Sequence, residues 1–126
     1  MDNFGRLLAL VLSPGQSSDH KYAPELAGQA IVYCAQTVMG DKGYDSDALR
    51  EQIEDAGLEP IIPFRKCRTI RPEIDWERYK ERNVVERFIG KLKENRRVAT
   101  RYDKKATHFA GFVILAAIKA WLKVIC

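Results

Sequence analysis

The stretch Thr-Val-Met-Gly-Asp-Lys-Gly-Tyr-Asp-Ser, residues 37–46, decides how the chain is interpreted. A short apolar strand candidate at its start runs into Asp41, and the flanking Gly40 and Gly43 let the backbone turn away. A carboxylate at the carboxyl end of a strand can point into a crevice at the sheet edge. An ordinary aspartate in a turn has the same local sequence, so this motif alone is a weak signal.

Helical patterns lie on both sides of this stretch. One covers residues 24–35, and another is capped by Asp45 or Ser46 and ends at Gly57. Their predicted apolar faces are Leu26, Ala30 and Tyr33 in the first helix, and Leu49, Ile53 and Ala56 in the second. Each helix therefore has one side that can pack against a sheet.

Strand candidates alternate with these helices. Residues 58–62 predict a short strand, and Pro60 within it suits the edge of a sheet. The apolar run at 7–12, stopped by Ser-Pro-Gly at 13–15, predicts a buried strand after a turn at residues 2–5. The alternation indicates an α/β chain. Because that turn would place the start of the chain inside a hairpin, we expect an N-terminally shortened version of a longer sequence.

The second half of the chain is predicted to be a loop followed by two long helices. Residues 65–74 are basic and lack periodicity; a helix then runs from Ile74 or Asp75 to about Val98, and another covers 105–125. The apolar stripe of the first is Val84, Val85, Phe88, Ile89 and Leu92. The last helix has ten uninterrupted apolar residues, whereas a membrane span needs about 20, so we expect a buried helix.

The charge is distributed unevenly along the chain. The 126 residues suit one domain with a net charge of +4. Residues 1–64 carry four basic and ten acidic side chains, a net of −6, whereas residues 65–105 carry fifteen and seven, a net of +8. A basic segment of this kind is typical of a nucleic-acid-binding surface, although a solvated helix face would have the same composition.

The three cysteines do not indicate a metal site or a disulfide framework. Cys34, Cys67 and Cys126 are far apart, and only His20 and His108 could join them as ligands. No pair has the Cys-x-x-Cys spacing of zinc sites. A reducing compartment, with the cysteines as small core or surface residues, is the simpler interpretation.

The helix around Glu86 carries a second chemical signal. At 100° per residue, Tyr79, Arg82, Glu86 and Lys93 share a stripe about 60° wide. This stripe lies beside the apolar face, so we expect Glu86 at the rim of the core, where a cleft would be. The alternative is a ladder of ion pairs four residues apart on an exposed helix.

Both signals resemble bacterial insertion-sequence transposases of the DDE type. Residues 41–46 are similar to the segment around the second catalytic aspartate of that family. The family's Y-R-E-K signature is matched at all four positions by Tyr79, Arg82, Glu86 and Lys93. The Arg101-Tyr102-Asp103-Lys104 segment and the closing apolar helix also resemble the family. The two motifs occur in order, with Asp41 and Glu86 45 residues apart, and the resemblance covers essentially the whole chain.

The resemblance implies an α/β, RNase H-like catalytic fold over residues 1–126, lacking its first strand. It also implies a site with two Mg²⁺ (or Mn²⁺) ions, for which Asp41 and Glu86 would be catalytic residues and metal ligands. Two such ions can activate the attacking oxygen and stabilise the leaving oxygen of a phosphodiester. The DNA-contacting residues implied by the family are Lys42, Tyr79, Arg82, Lys93, Arg96, Arg97 and Arg101. For the last three arginines a generic basic face is an equal alternative.

This sequence departs from the family in one respect. The first catalytic aspartate lies on the opening strand in the family, and neither Asp2 nor Asp19 matches it. We therefore expect an incomplete metal site and an N-terminally truncated domain, with transposon terminal repeats and target DNA as its partner. The isolated chain is expected to bind DNA non-specifically but neither to cleave nor to join it. Two alternatives are a non-catalytic DNA-binding remnant that regulates intact transposase, and an unrelated cytosolic α/β interaction module. The expected partners also include an upstream-frame product, and the expected location is the bacterial cytoplasm, associated with the nucleoid and not with a membrane.

Overall fold

The computed structural model describes residues 1–14, 17–101 and 104–125 of the chain, and Gly15, Gln16, Tyr102, Asp103 and Cys126 lie outside the described residues. The described part is mixed α/β. Its strands are β1 (Thr37–Met39) and β2 (Glu59–Ile61). Its α-helices are α1 (Ala23–Val32), α2 (Asp47–Asp55), α3 (Trp76–Tyr79), α4 (Asn83–Lys93), α5 (Arg96–Thr100) and α6 (Ala106–Ile125). Short 3₁₀ turns occupy Asp19–Tyr22, Lys42–Tyr44 and Lys80–Arg82.

The chain divides into two compact units. Ser13–Arg82 forms the sheet unit, which holds both strands and α1 to α3. Met1–Leu12 together with Asn83–Cys126 forms the helical unit, which holds α4 to α6. Asp41 therefore belongs to the sheet unit and Glu86 to the helical unit.

The strands of the sheet unit pair in parallel, with α2 between them in the chain, which makes a βαβ unit. Thr37 pairs with Glu59, and Met39 with Ile61. Pro60 lies opposite Val38 and has no N–H to donate, which a two-stranded sheet accepts because both of its strands are edges. The predicted strands at 37–39 and 58–62 are thus confirmed, the second with slightly shorter bounds.

Helices α1 and α2 share one apolar core with the residues that flank β2. The buried residues of the core are Ala23, Ala27, Leu49, Ile53, Leu58 and Ile62. The predicted face of α2 is confirmed, since Leu49 and Ile53 are buried and Ala56 packs against them. The predicted face of α1 is confirmed at Ala30, which packs against the core, and is wrong at Leu26 and Tyr33, which are 38% and 48% exposed. The helix turns Ala23 and Ala27 inward instead, and these lie four residues apart on one face.

The helical unit has its own core. Phe88 and Leu92 of α4 are buried against Val113, Ala116 and Ala117 of α6. The partly buried side chains that pack on this cluster are Met1, Leu7, Leu10, Val98 and Phe109. The last helix is confirmed at almost its predicted length, but one side of it is not buried, since Leu115 is 61% exposed and Leu122 is 49% exposed. Within the described residues, no helix is long and apolar enough to cross a membrane.

The predicted strand at 7–12 is wrong. These residues form neither helix nor strand, and Leu7 and Leu10 pack against the core of the helical unit. An apolar run becomes a strand only when another segment supplies its ladder of hydrogen bonds. In the described residues the single sheet is β1 with β2, so the run contributes apolar packing alone.

The turn at residues 2–5 is confirmed. Gly5 N donates to the carbonyl of Asp2 at 3.1 Å, and Asp2 Oδ1 accepts from the backbone N of Phe4 at 3.0 Å and of Arg6 at 2.9 Å. Gly5 has φ +80°, a conformation that glycine adopts without a steric penalty.

The predicted continuous helix from residue 74 or 75 to 98 is wrong. Its start is correct, because Asp75 caps α3 by accepting from the backbone N of Arg78 at 3.0 Å. The 3₁₀ turn at Lys80–Arg82 then interrupts the α-helical pattern, and Asn95 ends α4. The extended backbone of Asn95 (ψ 111°) breaks the helix, while its side-chain amide donates to the carbonyl of Leu92 at 3.3 Å. The spacing of apolar residues cannot reveal a helix end of this kind, because a single polar side chain makes it.

Candidate functional site

Asp41 lies on the exposed turn that follows β1, as its sequence position predicts. Its backbone is extended (φ −82°, ψ 173°), and its Oδ1 accepts a hydrogen bond of 2.6 Å from the backbone N of Gly43. This bond caps the 3₁₀ turn at Lys42–Tyr44. A Cβ at position 43 would lie 2.7 Å from Asp41 Oδ1, so only glycine fits while the carboxylate keeps this position.

Tyr44 closes the same turn from the core side. Its backbone N donates to the carbonyl of Asp41 at 3.0 Å, and its half-buried ring packs against the core of the sheet unit. A Cβ at Gly40 would lie 3.4 Å from this ring, a tight contact. Burial, together with the charges of Asp19 and Asp41, raises the pKa of Tyr44, so the phenol is neutral at neutral pH. Both glycines of the motif therefore have a packing reason.

Asp45 is the centre of a buried ion-pair cluster that joins this turn to the chain after β2. Its side chain is 2% exposed, and its Oδ1 accepts from Arg68 Nη1 at 2.7 Å and from Arg50 Nη2 at 3.0 Å. Its Oδ2 accepts from the backbone N of Arg65 at 2.9 Å. Of the two predicted candidates for the cap of α2, Ser46 takes that role, since its Oγ accepts from Leu49 N at 3.4 Å.

Further bonds tie the cluster to the backbone. Arg65 donates through Nε to the carbonyl of Lys42 at 3.3 Å and through Nη2 to that of Gly43 at 2.9 Å. Arg50, whose side chain is 8% exposed, also donates to the carbonyl of Ile62. We call the following residues the Asp45 cluster: Asp45, Asp47, Arg50, Arg65 and Arg68.

The electrostatics of the cluster favour an ionised Asp45. Burial alone would raise the pKa of this carboxyl group. The hydrogen bonds from Arg65 N and Arg50, together with the charges of Arg68 and Arg50, outweigh burial and hold the pKa of Asp45 below its usual 3.8. The turn that carries Asp41 is thus fixed by a charged group that remains ionised at neutral pH.

Tyr79 and Arg82, the first half of the Y-R-E-K signature, are half-buried in the sheet unit. The Arg82 guanidinium lies over the Tyr79 ring, 5.6 Å from its centroid. On its other side Tyr79 makes an edge-to-face contact with Trp76, with centroids 5.8 Å apart. The two signature residues therefore contact each other in the structure.

Glu86 and Lys93, the second half of the signature, lie on α4 in the helical unit. Both are exposed, so the predicted position of Glu86 at the rim of the core is wrong. The helix packs through its apolar residues, because Phe88 and Leu92 are buried and Val84 and Val85 are half-buried. Glu86 lies away from this packed face.

The three candidate arginines downstream lie at the two ends of α5. Arg96, Arg97 and Arg101 are exposed, and Arg101 ends the helix in the left-handed conformation (φ 46°). The guanidinium of Arg97 lies 4.5 Å from the centroid of the Phe112 ring, and that of Arg101 lies 5.0 Å from that of Phe109. Stacking on aromatic faces of α6 holds these cations at the surface. A shallow cleft of about 350 Å³ runs along this region, lined in part by Arg96, Arg97 and Lys119.

The candidate ligands are of the type that Mg²⁺ prefers, but they are too few to hold it. Asp41 and Glu86 offer carboxylate oxygens, which Mg²⁺ prefers, but they belong to different units. The described residues contain no group of three or more His, Cys, Asp or Glu side chains placed to hold a metal ion. Cys34 and Cys67 are free, exposed thiols. No catalytic step through a metal is therefore assigned to this chain alone.

Comparisons with known proteins agree with the two motifs. Residues 1–120 match the family model described as Transposase DDE domain. A Brucella ovis protein named as a candidate transposase for insertion sequence element IS6501 is 36% identical over 124 residues, which is 98% of this chain and 94% of the relative. A Burkholderia cepacia protein named in the same way for element IS402 is 35% identical over 80 residues, 64% of this chain but 36% of that longer relative. No solved structure gives a significant match.

The family match extends over nearly all of both units. It includes both motifs, the Asp41 turn in the sheet unit and the Y-R-E-K residues, whose second half lies in the helical unit. The Brucella ovis relative aligns over almost the same length. The chain belongs to the family of the transposase DDE domain.

Proposed function

We propose that this chain acts in DNA transposition as a DDE-type transposase domain with an RNase H-like fold. The reaction class is metal-dependent phosphodiester hydrolysis and strand transfer at transposon ends, and the chain would act on the bacterial nucleoid. The single observation that carries the proposal is Asp41, an exposed carboxylate fixed at the end of a strand by a glycine-dependent turn. The names of the relatives, both insertion-sequence transposases, support the same reaction class.

Within this function, Asp41 and Glu86 are the residues that would ligate Mg²⁺ or Mn²⁺. The ions, when bound, would supply Lewis-acid stabilisation of the charge that develops on the phosphodiester oxygens. The chain's own contribution is a pair of carboxylates, one on a turn and one on α4. A pair is short of the three carboxylates of the family, so the site in this chain is incomplete.

The DNA partner would be contacted mainly through its phosphates. The cations at both motifs and around α5, exposed except for the half-buried Arg82, offer guanidinium and ammonium donors, which bind phosphate oxygens. The Tyr79 ring, already stacked with Arg82, presents an aromatic surface beside them. The proposed DNA-contacting residues are Lys42, Tyr79, Arg82, Lys93, Arg96, Arg97 and Arg101.

The incomplete carboxylate set leads to a specific expectation: the isolated chain binds DNA but does not cut it. The test is nicking of supercoiled DNA carrying the element's terminal repeats, with Mg²⁺ or Mn²⁺, by the wild-type chain and by Asp41→Ala. We expect no nicking above background from either protein. Robust nicking by the wild type that disappears in Asp41→Ala would overturn the inactivity while supporting the metal-ligand role of Asp41.

The incomplete set of carboxylates also favours a second candidate function. In this function the chain is non-catalytic, binds DNA and regulates intact transposase or a product of an upstream frame. A chain that keeps the basic surface but lacks a complete site would occupy transposon ends unproductively. Adding it to a transposition assay with the intact enzyme should lower product formation as its concentration rises. An unchanged yield at concentrations that saturate the DNA ends would exclude this role.

A further inference from the structure

We propose that the loop after β2, residues Arg65 to Arg71, is a second DNA-phosphate-contacting surface held beside the Asp41 turn, with Lys66 and Arg71 as its contacts. This inference rests on the proposed function, because it assumes that the sheet unit meets DNA at Asp41. The loop lies outside the Y-R-E-K signature and outside the segment around Asp41 that resembles the family.

The loop is fixed at its first half by the Asp45 cluster. Arg65 donates to the carbonyls of Lys42 and Gly43, the two residues that follow Asp41. Arg68 binds Asp45 at 2.7 Å and also pairs with Asp47. The loop and the turn after β1 are therefore one hydrogen-bonded surface within the sheet unit.

The second half of the loop is fixed by aromatic contacts. The Arg71 guanidinium lies 5.3 Å from the centroid of the Phe64 ring. Phe64 in turn makes an edge-to-face contact with Trp76, with centroids 6.4 Å apart. Arg68 Nε donates to the carbonyl of Ile70 at 2.7 Å, which closes the loop on itself. A surface ordered in advance loses little conformational entropy when it binds a ligand.

The charges of the loop divide into two groups. The Arg68 guanidinium pairs with Asp45 and Asp47, whereas the Arg65 guanidinium donates to the backbone carbonyls of Lys42 and Gly43, so the donors of both arginines are already used within the sheet unit. Lys66 and Arg71 are exposed. Across the described residues, Lys66 makes no hydrogen bond or ion pair and Arg71 makes only its contact with the Phe64 ring.

This arrangement suits a polyanion that passes close to Asp41. With the exposed Lys42 on the neighbouring turn, the surface presents three cations that form no ion pair with any carboxylate of the described residues. Duplex DNA carries a phosphate charge about every 1.7 Å of helix axis, so several cations on one rigid surface can each neutralise a phosphate. A strand positioned in this way would have its backbone next to the proposed metal ligand.

The test is the salt dependence of binding to a short mixed-sequence DNA duplex, with the full chain. Binding weakens as salt rises, so the slope of log K against log salt is negative. Removing one cation that neutralises a phosphate reduces the magnitude of this slope by about 0.9, and Lys66→Ala with Arg71→Ala should reduce it by about 1.8. Lys21→Ala with Lys80→Ala is the matched control, because it removes the same charge from exposed positions of the same unit. One of these, Lys80, already pairs with Glu77 at 2.7 Å.

The outcomes separate this inference from the proposed function. A slope lowered by the loop variant and not by the control supports the loop surface. Equal slopes in the wild type and the loop variant, or equally lowered slopes in both double variants, overturn it, while a steep wild-type slope still supports DNA as the partner. Absence of salt-dependent binding by the wild type overturns both. Circular dichroism spectra identical to the wild type establish that the substituted surface positions leave the fold intact.

Discussion

The two regions that carry the candidate carboxylates are held by different physical means. The Asp41 turn is fixed by directional interactions, namely the Gly43 hydrogen bond and the Asp45 cluster, in which the side chains of Asp45 and Arg50 are buried. The Glu86 helix is held by its apolar face, with Phe88 and Leu92 packed on α6 and polar side chains facing water. The first carboxylate therefore depends on charge and hydrogen-bond geometry, whereas the second depends on burial.

This difference can be tested because each unit carries one tryptophan. Trp76 lies in the sheet unit and Trp121 in the helical unit. Trp121→Phe leaves fluorescence that reports unfolding of the sheet unit, and Trp76→Phe leaves fluorescence that reports the helical unit. Substitutions made in these two backgrounds therefore report on each unit separately.

The largest effect is expected from Phe88→Ala. Phe88 is 7% exposed at the centre of the helical core, and truncation of a buried phenylalanine costs about 3–5 kcal/mol of unfolding free energy. Urea unfolding followed through Trp121 should show this loss. The neighbouring Ile89, 43% exposed, is the matched control, and Ile89→Ala should cost about 1 kcal/mol or less. Equal losses at the two positions would contradict the assigned core.

Asp45→Asn should have the next largest effect, on the sheet unit. The substitution keeps the shape of the side chain but leaves the buried Arg50 without its ionic partner, which costs about 3 kcal/mol. Urea unfolding followed through Trp76 measures it. Asp47→Asn removes the other carboxylate that pairs with Arg68, but this side chain is 75% exposed, and the loss should stay below about 1 kcal/mol. A loss as small for Asp45→Asn would show that the cluster is not a structural element.

Acid should weaken the sheet unit through Asp45, and the helical unit has an acid-sensitive carboxylate of its own, because hydrogen bonds from Arg6 and Phe4 also hold the pKa of Asp2 below its usual value. The pKa of Asp45 is below its usual 3.8 in the folded chain, so its contribution to stability is present above that value and is lost as pH falls through the lower, folded-state pKa. Stability reported by Trp76 should therefore decline as pH falls below about 4, and this decline should be reduced in Asp45→Asn. An acid dependence that is identical with and without the Asp45 carboxylate would refute the assignment.

The smallest effect is expected from the glycine substitutions, with opposite signs in the two units. Gly43→Ala would place a Cβ 2.7 Å from Asp41 Oδ1, which should break the capping bond and cost about 1 kcal/mol. Gly90→Ala on α4 meets nothing within 4 Å and should stabilise the helical unit by up to about 1 kcal/mol. Urea unfolding measures both changes, through Trp76 for Gly43→Ala and through Trp121 for Gly90→Ala. Stabilisation by Gly43→Ala would mean that the turn does not need glycine.

Local sequence patterns predict some elements of the two units and not others. They were sufficient for β1, β2, α2 and α6, because periodicity and capping residues act over a few positions. The motifs were sufficient for the family. Local patterns gave the wrong result at residues 7–12, where strand formation depends on a partner segment, and at Asn95, where one polar side chain divides a helix.

The Asp45 cluster could not be predicted for a related reason. Its partners Arg65 and Arg68 lie 20 and 23 residues away along the chain, and no periodicity links them. The one signal in the sequence was the presence of arginines both in α2 and after β2, and a solvated or nucleic-acid-binding surface explains that composition equally well. Long-range ion pairs of this kind become visible only once the βαβ connection brings the two loops to one sheet edge.

The central claim, that this transposase-family chain meets DNA through its basic surfaces, is tested most directly by the salt dependence of wild-type binding to duplex DNA. The six proposed cationic contacts outside the loop predict a slope of log K against log salt of about −5 or steeper. A slope near zero, or no binding at low salt, would contradict the account.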